Sequence, residues 1–427
     1  MSAAIIFFLL AILMLTGMPV SISLGLTVLT FLFAFTQVPL ESVALKLFTG
    51  IEKFEIMAIP FFILAGNFLT HGGVARRMID FATSMVGHLR GGLGLSSVFA
   101  CALFAAVSGS SPATVVAIGS IMLPAMVRAG YPMKFGVGVV ASAGGLGILI
   151  PPSIVMVMYA VSTNSSIGAL FMAGVIPGLV LAFVLGFTTW FVARRGNYPR
   201  EKPRSWAQRW DAFRKSIWGL LLIVVVMGGI YSGLFTPTEA AAMSAVYAFF
   251  VAVFVYKDLK MRDVPRVLLN SANMSAMLLY IITNAVLFSF ILTNEQIPQA
   301  IAQWLLESGL GMIGFLLAVN LLLLVMGNFM EPSSIILITA PILFPIAMKL
   351  GIDPVHFGVM ITVNMEIGMI TPPVGLNLYV ASGISKLGLT ETTKATVPWL
   401  ITMLVFLALI TYWPPMTLWL PKTLGMM

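Results

Sequence analysis

Two long apolar stretches of this chain each carry a double proline at their middle. The first reads Gly147-Ile148-Leu149-Ile150-Pro151-Pro152-Ser153 and the second Gly368-Met369-Ile370-Thr371-Pro372-Pro373-Val374. Segments this long and apolar are expected to cross a bilayer as helices. A double proline removes two backbone donors and drives the preceding residue out of the helical region, so neither segment crosses unbroken. The interrupted backbone then falls near the membrane midplane. Such backbone is tolerated there only where it is buried in protein or lines a polar cavity. Two interruptions in corresponding positions of a chain point to the binding site of a secondary transporter.

Composition agrees. Of 427 residues, 59% are apolar and only 9% charged, against about 25% charged in soluble domains. The expected fold class is an all-α polytopic membrane protein. The single cysteine, Cys101, excludes an intrachain disulfide. His71, His88 and His356 share no metal-ligand spacing. The first residues lack a basic leader and read as a first span rather than a cleaved signal. The net charge of +8 is not a nucleic-acid footprint, because its distribution follows topology.

Taken in order, residues 2–36 break at Gly17-Met18-Pro19 and read as two short spans, 4–17 and 19–36, or as one kinked helix. A span over 54–70 leads through Gly72-Gly73 to an amphipathic arm, 74–89, suited to the interface. Residues 91–130 form a re-entrant hairpin whose tip is Ser108-Gly109-Ser110-Ser111-Pro112. The broken helix 133–162 and a span over 168–193 close the first unit, 1–193. Residues 194–216 carry eight cations against Glu201 and Asp211 and form a basic cytoplasmic linker. Trp206 and Trp210 within it point to a surface helix at the headgroups. The plan then restarts over 217–427. It has spans at 217–234 and 238–256 separated by Thr236-Pro237, a span at 268–292 and an arm at 297–308. A hairpin, 311–350, a broken helix, 356–385, and a span, 396–418, complete it.

The two units match by offset: 220 residues separate Pro112 from Pro332, and 221 separate Pro124 from Pro345, Gly130 from Gly351 and Pro151 from Pro372. Each holds five spans plus one hairpin. Five is odd, so the repeats are expected to be inverted in the membrane. With the linker in the cytoplasm, only Lys46, Lys53, Lys349 and Lys422 of the 23 cations fall outside, as the positive-inside rule requires. Both termini are then periplasmic.

Four irregular segments are expected to meet at the midplane. Helix N-termini there favour a carboxylate, and unwound carbonyls favour a small hard cation. The first tip offers Ser108, Gly109, Ser110, Ser111 and Thr114; the first break Gly145, Gly147, Pro151, Pro152 and Ser153. The second tip offers Gly327, Asn328, Glu331, Pro332, Ser333 and Ser334; the second break Glu366, Gly368, Thr371, Pro372, Pro373, Gly375 and Asn377. Oxygen ligands without His or Cys favour Na+ over a transition metal. Glu331 and Glu366 at membrane depth are either functional or neutralised structural residues. The tip serines are either site groups or helix–helix glue. Glu239 follows Thr236-Pro237 in a first helical turn, where the helix dipole accounts for it. Asn67 and Asn328 either reach the site or cap helices.

The chain resembles the large membrane subunit of a tripartite ATP-independent periplasmic (TRAP) transporter. The resemblance is carried by Ile59-Pro60-Phe61-Phe62 with Ala65-Gly66-Asn67, by Ser108-Gly109-Ser110-Ser111, by Gly147 to Ser153, by Phe171 to Gly178 and by Gly368 to Asn377. It implies Na+-coupled uptake of an organic acid, such as sialic acid or a C4-dicarboxylate, across a bacterial inner membrane. It implies two partners: a soluble periplasmic substrate-binding protein and a small four-span membrane subunit. The latter is expected as a separate chain, since no four-span block precedes Ser2. It further implies an elevator, in which hairpins and broken helices move as one body against a scaffold. Neither an enzymatic activity nor an organic cofactor is expected. The alternative is a stand-alone divalent-anion/Na+ symporter, which needs no binding protein.

Overall fold

The computed structural model describes residues 2–36, 39–49, 52–307 and 311–426, which are helical throughout apart from short connections. The chain opens with α1 (Ser2–Leu15), α2 (Val20–Phe35), the short α3 (Leu40–Thr49), α4 (Ala58–His71) and α5 (Val74–Val86). α6 (Gly92–Ser108) and α7 (Ser111–Arg128) form the first hairpin. α8 (Met133–Ala143), the single turn α9 (Leu146–Leu149) and α10 (Ile154–Thr163) are the pieces of the first broken helix, and α11 (Ile167–Arg195) follows. Beyond the basic stretch come α12 (Trp206–Tyr231), α13 (Pro237–Phe250), α14 (Val264–Asn294) and α15 (Ile297–Glu307). α16 (Gly311–Gly327) and α17 (Pro332–Lys349) form the second hairpin. α18 (Pro354–Gly368) and α19 (Leu376–Ser385) flank the second break, and α20 (Leu389–Tyr412) and α21 (Pro415–Thr423) end the chain. Among the described residues, nine helical stretches are long and apolar enough to cross a bilayer.

Local chemistry explains the boundaries. α1 and α2 are two helices, because Gly17 turns the chain at φ +82° and Pro19 starts the next one. α13 begins on a capping box: Thr236 Oγ1 accepts from Glu239 N at 3.3 Å, and Glu239 Oε2 accepts from Thr236 N at 2.8 Å. Glu239 is thus a capping residue.

Two expectations need correction, and one helix falls outside them. The linker does not end at residue 216 in a separate surface helix. Trp206 begins α12, which runs without interruption to Tyr231 after a Ser205–Gln208 capping box. No proline intervenes, so the amphipathic and apolar stretches join into one helix; Trp206 and Trp210 are exposed on its first turns. The last span is not 396–418. It starts at Leu389 and stops at Tyr412, where Trp413-Pro414-Pro415 ends it and α21 begins anew. The helix outside them is α3, which packs against α14. Residue 308, at the end of the expected second arm, lies outside the described residues.

Packing places the interruptions. α4 lies against α13 and α14, with Asn67 Nδ2 donating to Ser271 Oγ at 2.8 Å; Asn67 therefore ties two long helices together. α5 packs on α6 and α12. It is held by Arg76 and Arg77 on Asp258, at 3.2 and 2.5 Å, with the Arg77 guanidinium 3.8 Å above the Tyr256 ring. Within the hairpin region, α6 contacts α8 and α16 contacts α18. α10, which follows the first break, packs on α17 of the second hairpin; α19, which follows the second break, packs on α7 of the first. These reciprocal contacts bring the two tips and two breaks into one region.

Candidate functional site

The first tip is tightly folded. Gly109 ends α6 at φ +61°, a left-handed conformation that favours glycine. Ser108 Oγ and Thr114 Oγ1 are 2.9 Å apart, and Thr114 Oγ1 donates to Ser110 O at 2.8 Å. The first break lies directly against it: Ile154 N donates to Gly109 O at 3.4 Å. A Cβ on Gly147 would meet Ser110 O at 2.6 Å and Thr114 Oγ1 at 2.8 Å, so this approach requires glycine. The Pro151-Pro152 peptide bond is cis. Ser153 bridges the gap, its hydroxyl donating to Ile148 O at 2.5 Å and accepting from Met156 N at 3.3 Å.

The second tip and break form a matching pair. Glu331 is the N-cap of α17, its Oε1 accepting from Ser334 N at 3.1 Å and Ser334 Oγ at 3.0 Å. Pro332, Ser333 and Ser334 are buried in that first turn. Gly327 and Gly368 touch backbone to backbone: a Cβ on Gly368 would stand 2.7 Å from Gly327 Cα. Val374 N donates to Asn328 O at 2.9 Å, Thr371 Oγ1 donates to Ile367 O at 2.6 Å, and Pro372-Pro373 is cis. Gly375 turns into α19 at φ +47°.

The two pairs are joined through Asn377 and Glu366. Asn377 Nδ2 donates to Ser111 Oγ at 2.7 Å and to Ala141 O at 3.2 Å, linking the second break to the first hairpin and to α8. The Glu366 carboxyl lies against Gly145 at the kink between α8 and α9, where a glycine Cβ would come within 3.5 Å of its Cδ. Among the described residues, several buried oxygens here have no hydrogen-bond partner: both carboxylate oxygens of Glu366, Asn377 Oδ1, Ser142 Oγ and Asn328 Oδ1. Unpaired buried oxygens are costly. A set of carboxylate, amide and hydroxyl oxygens without His or Cys suits a hard monovalent or divalent cation rather than a transition metal. The breaks differ in access. Pro151, Pro152 and Ser153 are buried, whereas Pro372, Pro373 and Val374 are exposed.

The chain matches the family model described as the DctM component of the tripartite ATP-independent periplasmic transporter, over residues 7–416. It belongs to this family. It is 71% identical to the C4-dicarboxylate TRAP transporter large permease protein DctM of Rhodobacter capsulatus, across the full length of both chains. It is 57% identical to the protein of the same description from Pseudomonas aeruginosa, over 95% of each. A crystal structure of the Alcanivorax borkumensis YdaH transporter shares the fold with a TM-score of 0.66 over 88% of each chain, at 16% identity. The chain is thus the large permease subunit of a TRAP transporter, a transport protein and not an enzyme.

Of the permease's sequence-predicted residues, Ser111, Asn377, Gly145 and Glu366 link the two pairs, while Ser153 and Glu331 act as helix N-caps and Ser334 donates to Glu331. Ser142, with its buried hydroxyl unpaired beside Ala141, was not singled out, nor was a polar chain behind the second break. There Asn364 Nδ2 donates to Asn320 Oδ1 at 2.8 Å, Asn320 Nδ2 to Thr411 Oγ1 at 3.0 Å, and His356 meets Thr417 Oγ1 at 2.9 Å. The available signal was a lone asparagine inside each apolar helix, which is costly at membrane depth unless paired.

Proposed function

We propose that this permease carries a C4-dicarboxylate together with Na+ across a bacterial inner membrane. A soluble periplasmic protein delivers the solute, and a small four-span subunit completes the membrane unit. The observation that carries the reading is the meeting of two hairpin tips with two helix breaks around buried, unpaired oxygens. Those oxygens have no donor among the described residues, and Na+ would neutralise the Glu366 carboxylate and occupy the free lone pairs. The names of the relatives at 71% and 57% identity support a C4-dicarboxylate over sialic acid.

The two hairpins and broken helices move as one body, and α2, α4, α12, α13 and α14 belong to the scaffold. The halves are inverted repeats, with the basic stretch cytoplasmic and both termini periplasmic. Each tip abuts its own break, which supports re-entrant hairpins turning at midplane depth. Bound Na+ favours the occluded arrangement by differential affinity, so that the solute binds a pre-formed site.

The deciding experiment is uptake of labelled succinate into proteoliposomes containing both membrane subunits, with the loaded binding protein outside and a Na+ gradient imposed or collapsed. Uptake that needs both the gradient and the binding protein is expected. Equal uptake without Na+ would remove the coupling, and equal uptake without the binding protein would favour a stand-alone symporter.

A further inference from the structure

Away from the breaks, one cavity gathers positive charge with no acid among the described residues of its walls. Its volume is about 240 Å³, and Lys46, Thr49, Lys53, Ser162 and Ser289 supply its polar groups. α3 and α14 form one wall, and α10 and α17 the other. Lys53 Nζ donates to Val161 O at 2.9 Å and to Asn164 Oδ1 at 2.6 Å, at the C-terminal end of α10. An ammonium has three donors, so one N–H remains. Lys46 Nζ stands 5.5 Å from the Phe290 ring centroid. Neither lysine forms an ion pair among the described residues. Glu55 lines a smaller neighbouring cavity that Lys53 also borders, but it does not line this one, and two ammonium groups facing one concave space concentrate small anions there. The volume lies below the roughly 300–1,000 Å³ of sites for drug-sized ligands, which fits a small metabolite and not a protein surface.

A second cavity gives the contrast. It has about 480 Å³ and is lined by Ala117 and Ile121 of α7; Leu337 and Pro341 of α17, each 220 residues later in the chain, line the first. The two are therefore counterparts on the two hairpins. The cation in the second, Arg76, is paired with Asp258, which lines the same space. Charge is balanced in the cavity on the cytoplasmic side of the proposed topology, and unbalanced in the one on the outer side.

We propose that Lys46 and Lys53 form an anion-receiving site, in which a small dicarboxylate is held on the outer side before it reaches the helix breaks. The ammonium groups take the carboxylates, and the hydroxyls of Thr49, Ser162 and Ser289 serve as additional donors. The site rests on the substrate class and orientation proposed above.

The test is succinate uptake by the reconstituted full complex with Lys46→Gln and Lys53→Gln combined, beside Lys46→Arg with Lys53→Arg. Affinity of the loaded binding protein for the same proteoliposomes is measured in parallel. The double glutamine variant is expected to lose about tenfold in uptake rate, with binding-protein affinity unchanged and arginine retaining most uptake. Lys46→Gln alone loses no hydrogen bond seen here, so it carries the test if the double variant fails to assemble; a severalfold loss is expected. Unchanged uptake would overturn the proposal. So would a parallel loss of binding-protein affinity, which would make the lysines a protein contact, or arginine variants as defective as glutamine ones. Absence of succinate uptake by the wild-type complex would instead overturn the transport reading itself.

Discussion

Glu366 is the residue on which the proposed ion coupling turns. It is fully buried, lies against Gly145 and has no hydrogen-bond partner for either oxygen among the described residues. Glutamine keeps its shape and removes its charge. If the carboxylate holds the coupling ion, Glu366→Gln loses Na+-driven uptake by at least about tenfold, the equivalent of ~1.4 kcal/mol, while the complex still assembles. Retained uptake with an unchanged Na+ dependence would make Glu366 a structural group. Gly368 tests geometry instead of charge. A Cβ there stands 2.7 Å from Gly327 Cα, and backbone cannot swing aside as a side chain can. Gly368→Ala should destabilise the detergent-solubilised protein by roughly 1–3 kcal/mol, typical of overpacking, with uptake falling as tip and break separate. A melting temperature equal to wild type would show that the contact is not tight.

At the scale of elements, the two double prolines were legible in the sequence because the backbone chemistry of Pro-Pro overrides any apolar context. What the sequence did not disclose is that the two breaks are unequally packed. Pro151 and Pro152 are buried and Pro372 and Pro373 exposed, a difference set by neighbours distant in the chain. Alanine should therefore act differently at the two sites. Pro151→Ala is expected to impair uptake and also to lower the thermal stability of the solubilised protein. Pro372→Ala should impair uptake with a smaller stability change. Equal stability losses would contradict the burial difference. The extent of α12 was illegible for another reason. Its first turns are basic and its later ones apolar, and composition changes along a helix without the helix ending. The Asn320–Asn364–Thr411 chain was hidden because a polar residue in an apolar run does not announce its partner. Glu331 and Ser334 stand on a tip, where Glu331 caps α17 and Ser334 donates to it, a pairing the sequence spacing alone did not disclose.

For the whole molecule, the question is which contacts survive a transport cycle. Lys53 precedes α4, which packs on α13 and α14, and its ammonium clasps the end of α10, which follows the first break. Under the proposed motion the first belongs to the scaffold and the second to the moving body, so this clasp must open. Asn67 and Ser271 join α4 to α14, both scaffold helices, and that contact should persist. Cysteines at Lys53 and Asn164, joined by a short bis-maleimide with Cys101 replaced by serine, should arrest the succinate uptake that the same double-cysteine protein retains before cross-linking, since replacing Lys53 lowers uptake on its own account. The link must span a lysine side chain, which is why a direct disulfide, limited to Cα separations of about 4.4–6.8 Å, is not used. Cysteines at Asn67 and Ser271, oxidised to a disulfide, should leave uptake near that of the reduced protein. Arrest in the first pair with transport in the second would separate a body that moves from a frame that does not. Full uptake by a completely cross-linked Lys53–Asn164 pair would mean that α10 stays where it is and that the solute crosses without the elevator.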